Sequence, residues 1–134
     1  MSTELNTEFL GKTLSGPFTI PSGIVTTATS IIQYMFDHMP QIGVITTKSV
    51  GLTPRAGYRE PVYSQYAPGC FVNAVGLTNP GAEAAAEALA KLRIPEDRFL
   101  LTSIFGGSVE EFVEVAKIMA PVSNGLELNL SCPH

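Results

Sequence analysis

Short apolar runs alternate with amphipathic stretches along this chain, and the alternation defines its elements. Ile31, Ile32, Met35, Phe36 and Met39 fall at i, i+1, i+4, i+5 and i+8, the stripe of an α-helix, and Pro40 ends it. Residues 42–47 form a β-branched, nearly uncharged run, as a parallel strand covered on both faces requires. Residues 99–104 repeat that pattern, and Gly106-Gly107 turns the chain towards a second helix. There Ser108 and Glu111 make an S-x-x-E capping box, and Val109, Phe112, Val113, Ala116 and Met119 or Ala120 share one face. Residues 125–130 alternate strictly, with Leu126, Leu128 and Leu130 on one side and Glu127, Asn129 and Ser131 on the other. Asn79-Pro80 reads as the N-cap and first-turn proline of an Ala-rich helix that runs to about Arg93, before Pro95. Near the start, residues 17–25 read as extended, with a small hairpin over residues 10–19, which contain Gly11 and Gly16, leading into them.

Strand, helix, strand in repetition is the signature of βαβ units around a parallel sheet, so the expected class is α/β. The count is about four parallel strands and three helices plus the N-terminal hairpin, which is the N-terminal half of a TIM (β/α)8 barrel. A whole barrel needs roughly 250 residues, whereas this chain has 134. Four open strands would expose two edges, so residues 1–134 are expected to be a single partial domain of a longer protein. Residues 49–79 are too long for an ordinary connection and are rich in Pro and Gly, as function-bearing loops are.

Composition narrows the chemistry. Eight Lys+Arg against 12 Asp+Glu give a net charge of -4, which supplies no field for nucleic acid or an anionic membrane. No apolar run approaches the roughly 20 residues of a membrane span, and no basic, then apolar, leader opens the chain. A cytoplasmic protein is expected, with Cys70 and Cys132 as reduced thiols. Those cysteines and His38 and His134 do not have zinc spacing, so no metal is expected.

In a parallel barrel the strand C-termini share one mouth, and chemistry gathers there. The residues so placed are Ser22-Gly23, Lys48-Ser49, Ser103, and the stretch from Asn129 to His134. Lys48 is either functional or simply reaches water. Cys132 is either a small buried hydrophobe or a nucleophile or proton acceptor near His134. Cys70 reads as structural and His38 as solvent-facing. Gly106-Gly107-Ser108 suits either an anion or a tight turn. Arg55 and Arg59 either bind an acid group or tie their loop to Glu60. Glu127, on the face of Asn129, must be paired or solvated.

Taken together, Thr47-Lys48-Ser49, Pro54-Arg55-Ala56-Gly57, Asn73-Ala74-Val75-Gly76-Leu77 with Asn79-Pro80-Gly81, and Glu127-Leu128-Asn129-Leu130-Ser131-Cys132-Pro133 resemble the dihydroorotate dehydrogenase family. The opening Phe9-Leu10-Gly11, Pro17-Phe18 and Ser22-Gly23 are similar to it as well, and the cysteine points to the soluble class 1 branch. The resemblance implies the first half of an FMN-binding barrel in an enzyme of pyrimidine biosynthesis that oxidises dihydroorotate to orotate. Cys132 would remove the C5 proton while hydride passes from C6 to N5 of FMN. Lys48 would lie against flavin and substrate. Asn73, Asn129 and His134 would contact the pyrimidine, and the backbone amides of Gly76 and Leu77 its carboxylate. Ser22, Gly23, Lys48, Ser49, Ser103 and Asn129 would contact FMN. Implied partners are the dihydropyrimidine substrate, a second copy in a homodimer, and an FAD/iron–sulfur electron-transfer subunit in some members. His134 stands where the family usually has asparagine. That variant is similar to dihydropyrimidine dehydrogenases, so uracil or thymine is the alternative substrate class. A non-catalytic half-barrel is the third reading.

Overall fold

A parallel sheet, with helices on one side and a small hairpin plugging the other, builds this molecule. The structure, a computed structural model, describes residues 5–131. In chain order the elements are β1 (Thr7–Phe9), β2 (Lys12–Leu14), β3 (Phe18–Ile20), α1 (Thr29–His38), β4 (Ile42–Thr46), β5 (Tyr63–Ala67), β6 (Cys70–Asn73), α2 (Ala82–Leu89), β7 (Phe99–Ile104), α3 (Val109–Met119) and β8 (Gly125–Leu128). The strand order β3-β4-β7-β8 is parallel throughout, so all four C-terminal ends lie along one rim. The expected α/β layout of four parallel strands and three helices is what the chain adopts.

Alternation on the strands sorts side chains into two cores. Ile45, Leu100, Ile104 and partly buried Leu126 face the helices and pack with Ile32, Met35, Phe36, Ala85, Leu89, Val115 and Met119. Val44, Phe99 and partly buried Leu101 face the opposite way, onto Leu14 and Phe9 of the hairpin, where the rings of Phe9 and Phe99 meet edge to face at 5.1 Å. At the N-terminal end of the sheet, buried Arg98 donates from one terminal nitrogen to the carbonyls of Met39 (3.0 Å) and Ile42 (2.7 Å), tying α1 and β4 to β7.

Several boundaries differ from the sequence reading, each for a physical reason. The first strand is only Phe18–Ile20, because the chain then turns and Gly23 and Val25 take positive φ. The hairpin lies at Thr7–Leu14, earlier than expected, and its turn is Leu10-Gly11, both at positive φ, the geometry that matches strand twist. Helix α2 ends at Leu89, short of Arg93. Its N-cap is Gly81, not Asn79. Asn79 stands two residues earlier, and its Oδ1 accepts from the N–H groups of Gly81 (2.9 Å) and Gly51 (3.2 Å), an Asx turn that locks the end of the long segment onto the strand rim. On α1, Ile32, Met35 and Phe36 are buried while Ile31 and Met39 are exposed. On α3 the buried residues are Val115 and Met119, with Phe112 and Ala116 partly buried, and Val109 and Val113 face solvent. The cap of α3 forms as expected, Ser108 Oγ accepting from the N–H of Glu111 (3.2 Å). Glu110, in that first turn, has its carboxyl held below the usual range by its own backbone N–H and by Ser108.

Residues 49–79 also hold a feature the sequence reading lacks, the antiparallel β5–β6 hairpin. Its signal was present: Pro68-Gly69 sits between runs rich in Tyr, Phe and Val.

Candidate functional site

The strand rim supplies a wall of polar side chains and the long segment folds a loop across it. Between them lies a cavity of about 400 Å³ lined by Ser22, Gly23, Lys48, Ser49, Asn73, Val75, Gly76, Leu77, Glu127, Leu128, Asn129, Leu130 and Ser131. Residues far apart in sequence meet here because β3, β4 and β8 end on the same rim and the exit of β6 crosses over it.

The wall is held by one buried hydroxyl. Ser49 Oγ lies 2.9 Å from Ser103 Oγ and 3.3 Å from Ser22 Oγ, and it accepts from Asn129 Nδ2 at 3.1 Å. A serine hydroxyl has one proton, so Ser49 donates to one neighbouring serine and accepts from the other. The chain thus joins the ends of β3, β4, β7 and β8 and fixes the amide plane of Asn129. Ser103 is fully buried and does not line the cavity. It stands behind the wall, where it holds Ser49.

Half-buried Lys48 is anchored through its main chain, its N–H donating to the carbonyl of Thr26 (3.3 Å) and its carbonyl accepting from Thr47 Oγ1 (3.1 Å). Among the described residues no carboxylate forms an ion pair with it. Glu127 likewise has no ion-pair partner among the described residues, so the cavity wall carries one cation and one carboxylate that are not joined.

The cover is built from backbone. The N–H of Tyr58 donates to the carbonyl of Val75 (3.0 Å), and that of Ala74 to the carbonyl of Val62 (2.8 Å). Gly76 has φ of 82°, and a Cβ there would come within 2.6 Å of the Tyr58 nitrogen, so both conformation and space require glycine. Leu77 follows at φ of 53°. Both are buried, and among the described residues the N–H of neither donates to any group. Two successive buried amide donors with no acceptor among the described residues are uncommon, and such a pair could hold an anionic or carbonyl oxygen.

Cys132 and His134 lie outside the described residues. The other expected site residues, Ser22, Gly23, Lys48, Ser49, Asn73, Gly76, Leu77 and Asn129, share the one cavity. Val75, Leu128, Leu130 and Ser131 line it too and were not singled out as ligand contacts, although each lies inside a motif that was. The remaining candidates fall elsewhere. Glu111 Oε2 accepts from the N–H of Gly107 (2.7 Å), so a carboxylate of this chain already occupies that turn. Arg55 and Arg59 form no ion pair among the described residues. Glu60 Oε2 instead accepts from the N–H of Val62 (2.9 Å). Cys70 is exposed at the hairpin, and His38 is exposed and stacked on Tyr34 at 4.3 Å. Among the described residues no group of His, Cys, Asp and Glu could hold a metal, and no helix is long and apolar enough to cross a membrane.

Comparison with known proteins shows the family. The family model described as Dihydroorotate dehydrogenase matches residues 4–134. The chain is 37% identical over 130 residues to the dihydroorotate dehydrogenase B (NAD(+)) catalytic subunit of Pyrococcus abyssi, covering 97% of the chain and 42% of that protein. It is 38% identical over 127 residues to the subunit of the same name in Pyrococcus furiosus, covering 95% of the chain and 41% of that protein. The chain therefore spans about two-fifths of the length of the curated relatives it matches. In three dimensions it is similar to DHODH from Eimeria tenella, solved in complex with ferulenol, with a TM-score of 0.79 at 20% identity, over 97% of this chain and 37% of that one. That last likeness concerns the fold alone.

Proposed function

Since this chain belongs to the dihydroorotate dehydrogenase family, we propose that it forms the first half of an FMN-binding barrel that oxidises dihydroorotate to orotate in pyrimidine biosynthesis. The observation that carries this reading is the pair of buried amides at Gly76 and Leu77, without an acceptor among the described residues, in the wall of the cavity that also holds Lys48. Two N–H donors near a cation suit the carboxylate that distinguishes dihydroorotate from a neutral dihydropyrimidine.

The donor set fits the pyrimidine edge of a flavin. Ser22 and Ser49 offer hydroxyls, Lys48 a positive charge and Asn129 an amide, while Gly23 leaves its stretch of wall open, the nearest atom to a Cβ there being Lys48 Cδ at 4.0 Å. The chemistry supplied by FMN when bound is acceptance of the hydride from C6. The chain's own residues do the rest. Asn73 and Asn129 orient the dihydropyrimidine ring, and Gly76 and Leu77 hold its carboxylate. Lys48 favours negative charge as it develops on the reacting partners. Ser103 is a positioning residue, acting through Ser49. Cys132 is assigned the C5 proton, taken as thiolate, and His134 is assigned to substrate binding. By analogy with the relatives named as NAD(+) catalytic subunits, the whole protein is a catalytic subunit, and the family resemblance adds a second copy and an FAD/iron–sulfur subunit as its partners.

Turnover of dihydroorotate and dihydrouracil by the full-length flavoprotein tests the assignment. A site that hydrogen-bonds a substrate group rejects an analogue lacking it by a factor on the order of 10⁴. Dihydroorotate is therefore expected to be strongly preferred, and equal turnover of dihydrouracil would move the substrate to the uracil and thymine class that His134 suggests. In the same assay Cys132→Ser is expected to slow flavin reduction sharply near neutral pH, because a hydroxyl gives up its proton far less readily than a thiol.

A further inference from the structure

On the helix side of the strand rim a second cavity, of about 250 Å³, lies between α1 and α2. Its walls include Ile32, Val50, Ala85, Ala88 and Leu89, all apolar, and it exists because α2 presents alanines where larger side chains would close the gap. Thr26, on the loop before α1, also lines it. This residue is 2% exposed, and its Oγ1 has no hydrogen-bond partner among the described residues. Of the other buried polar side chains lining it, those of Asn79 and Thr47 are already committed. Asn79 Oδ1 takes two backbone N–H groups, Asn79 Nδ2 donates to the carbonyl of Leu77 (2.8 Å), and Thr47 Oγ1 donates to the carbonyl of Lys48 (3.1 Å).

The cavity therefore presents a mostly apolar cleft in which the Thr26 hydroxyl is, among the described residues, the buried polar side-chain atom left unanswered. An apolar cavity of roughly 150 Å³ already admits benzene, so this one has room for a single aromatic ring with a substituent. A buried polar group without a partner is costly, and a ligand with one polar atom would satisfy it. No carboxylate lines the cavity, and Thr27 and Pro80, both exposed, mark where it meets solvent. Lys48 and Ser49 line both cavities and form the partition between them, and the Thr26 carbonyl accepts the Lys48 N–H at 3.3 Å.

We propose that this cavity is a binding site, separate from the substrate cavity, for a small neutral aromatic molecule with a single hydroxyl, the ring packing among Ile32, Val50, Ala85 and Leu89 and the hydroxyl pairing with Thr26. Phenol and toluene are the probes, titrated into the full-length protein with binding followed by NMR shifts of the cavity's methyl groups. Phenol is expected to bind more tightly than toluene. Thr26→Val, which keeps the shape and removes the hydroxyl, should weaken phenol about fivefold to tenfold and leave toluene unchanged. Ala88→Phe, which fills the space, should abolish both, with circular dichroism confirming that the fold is retained. Failure of either probe to shift those methyl signals overturns the proposal, as does equal affinity for the two probes in wild type and Thr26→Val. An ordered water on Thr26 that persists at saturating phenol also overturns it.

Discussion

The parallel sheet and the long segment between β4 and α2 both contribute to one cavity, yet they are built in opposite ways. On β7 five of six residues are buried, whereas on β5 and β6 only Ala67 is even partly shielded. The sheet is fixed by side chains packed on two faces. The segment is fixed mainly by backbone: antiparallel pairing of β5 with β6, the Tyr58–Val75 and Ala74–Val62 hydrogen bonds, and the bridge between Arg55 and Asn79. Such a division suits a site that must hold charged and polar groups rigidly while its cover admits a ligand, since local openings arise where few apolar contacts resist them.

The largest effect that would test this division belongs in the sheet. Leu100 is fully buried among the helices, so Leu100→Ala removes apolar contacts and leaves a cavity in a region that cannot collapse. The expected loss is about 2–5 kcal/mol, read as a lowered denaturant midpoint at unchanged slope. A loss below about 1 kcal/mol would mean that the helix-side core is looser than its burial implies.

A smaller effect on stability, with a larger one on ligand binding, is expected at the cover. In Gly76→Val a β-branched residue meets both a positive φ and the Tyr58 nitrogen, a strain of about 1–3 kcal/mol that the exposed segment can relieve by shifting. That shift would carry the Gly76 and Leu77 amides away from the cavity. Orotate affinity should therefore fall by at least about tenfold, while the thermal midpoint moves by a few degrees at most. Equal damage to both would show that the cover is as integral to the fold as the sheet.

The same contrast decided what was legible in the sequence. Strands β4, β7 and β8 and helix α3 announce themselves because burial imposes a period on them, and Glu127 and Asn129 of the polar side of β8 reach the cavity, although Leu128 and Leu130 of the other side line it too. Where the structure depends on backbone geometry the pattern is silent. Nothing periodic shows that Asn79 makes an Asx turn, that Val25 and Leu77 take positive φ, or that Val109 and Val113 face solvent while Val115 is buried. The exposed hairpin escaped for a related reason: with both faces in water, its side chains carry no inside-outside code, and only Pro68-Gly69 marked its turn. Ser103 was legible as a rim residue but not as a buried one, because its depth depends on Ser49 folding over it.

The smallest effect is expected on the hairpin, and it makes the sharpest comparison because two tyrosines of one strand should differ. Tyr63 stacks on Phe71 across the strands, centroids 5.2 Å apart. Tyr66 is 72% exposed and falls where the register shifts between Gln65 and Ala67, so it faces no residue of β6. Cross-strand aromatic pairs contribute about 0.5–1.5 kcal/mol, whereas an exposed residue without such a neighbour lies within about 0.5 kcal/mol of neutral. Tyr66→Ala should accordingly leave the denaturant midpoint almost unmoved, and Tyr63→Ala should lower it measurably but by less than Leu100→Ala. If Tyr66→Ala were instead as damaging as the core substitution, the hairpin could not be the solvent-facing arm seen here. Its aromatic face would then be covered in the folded protein, and the cover over the cavity would be held by packing after all.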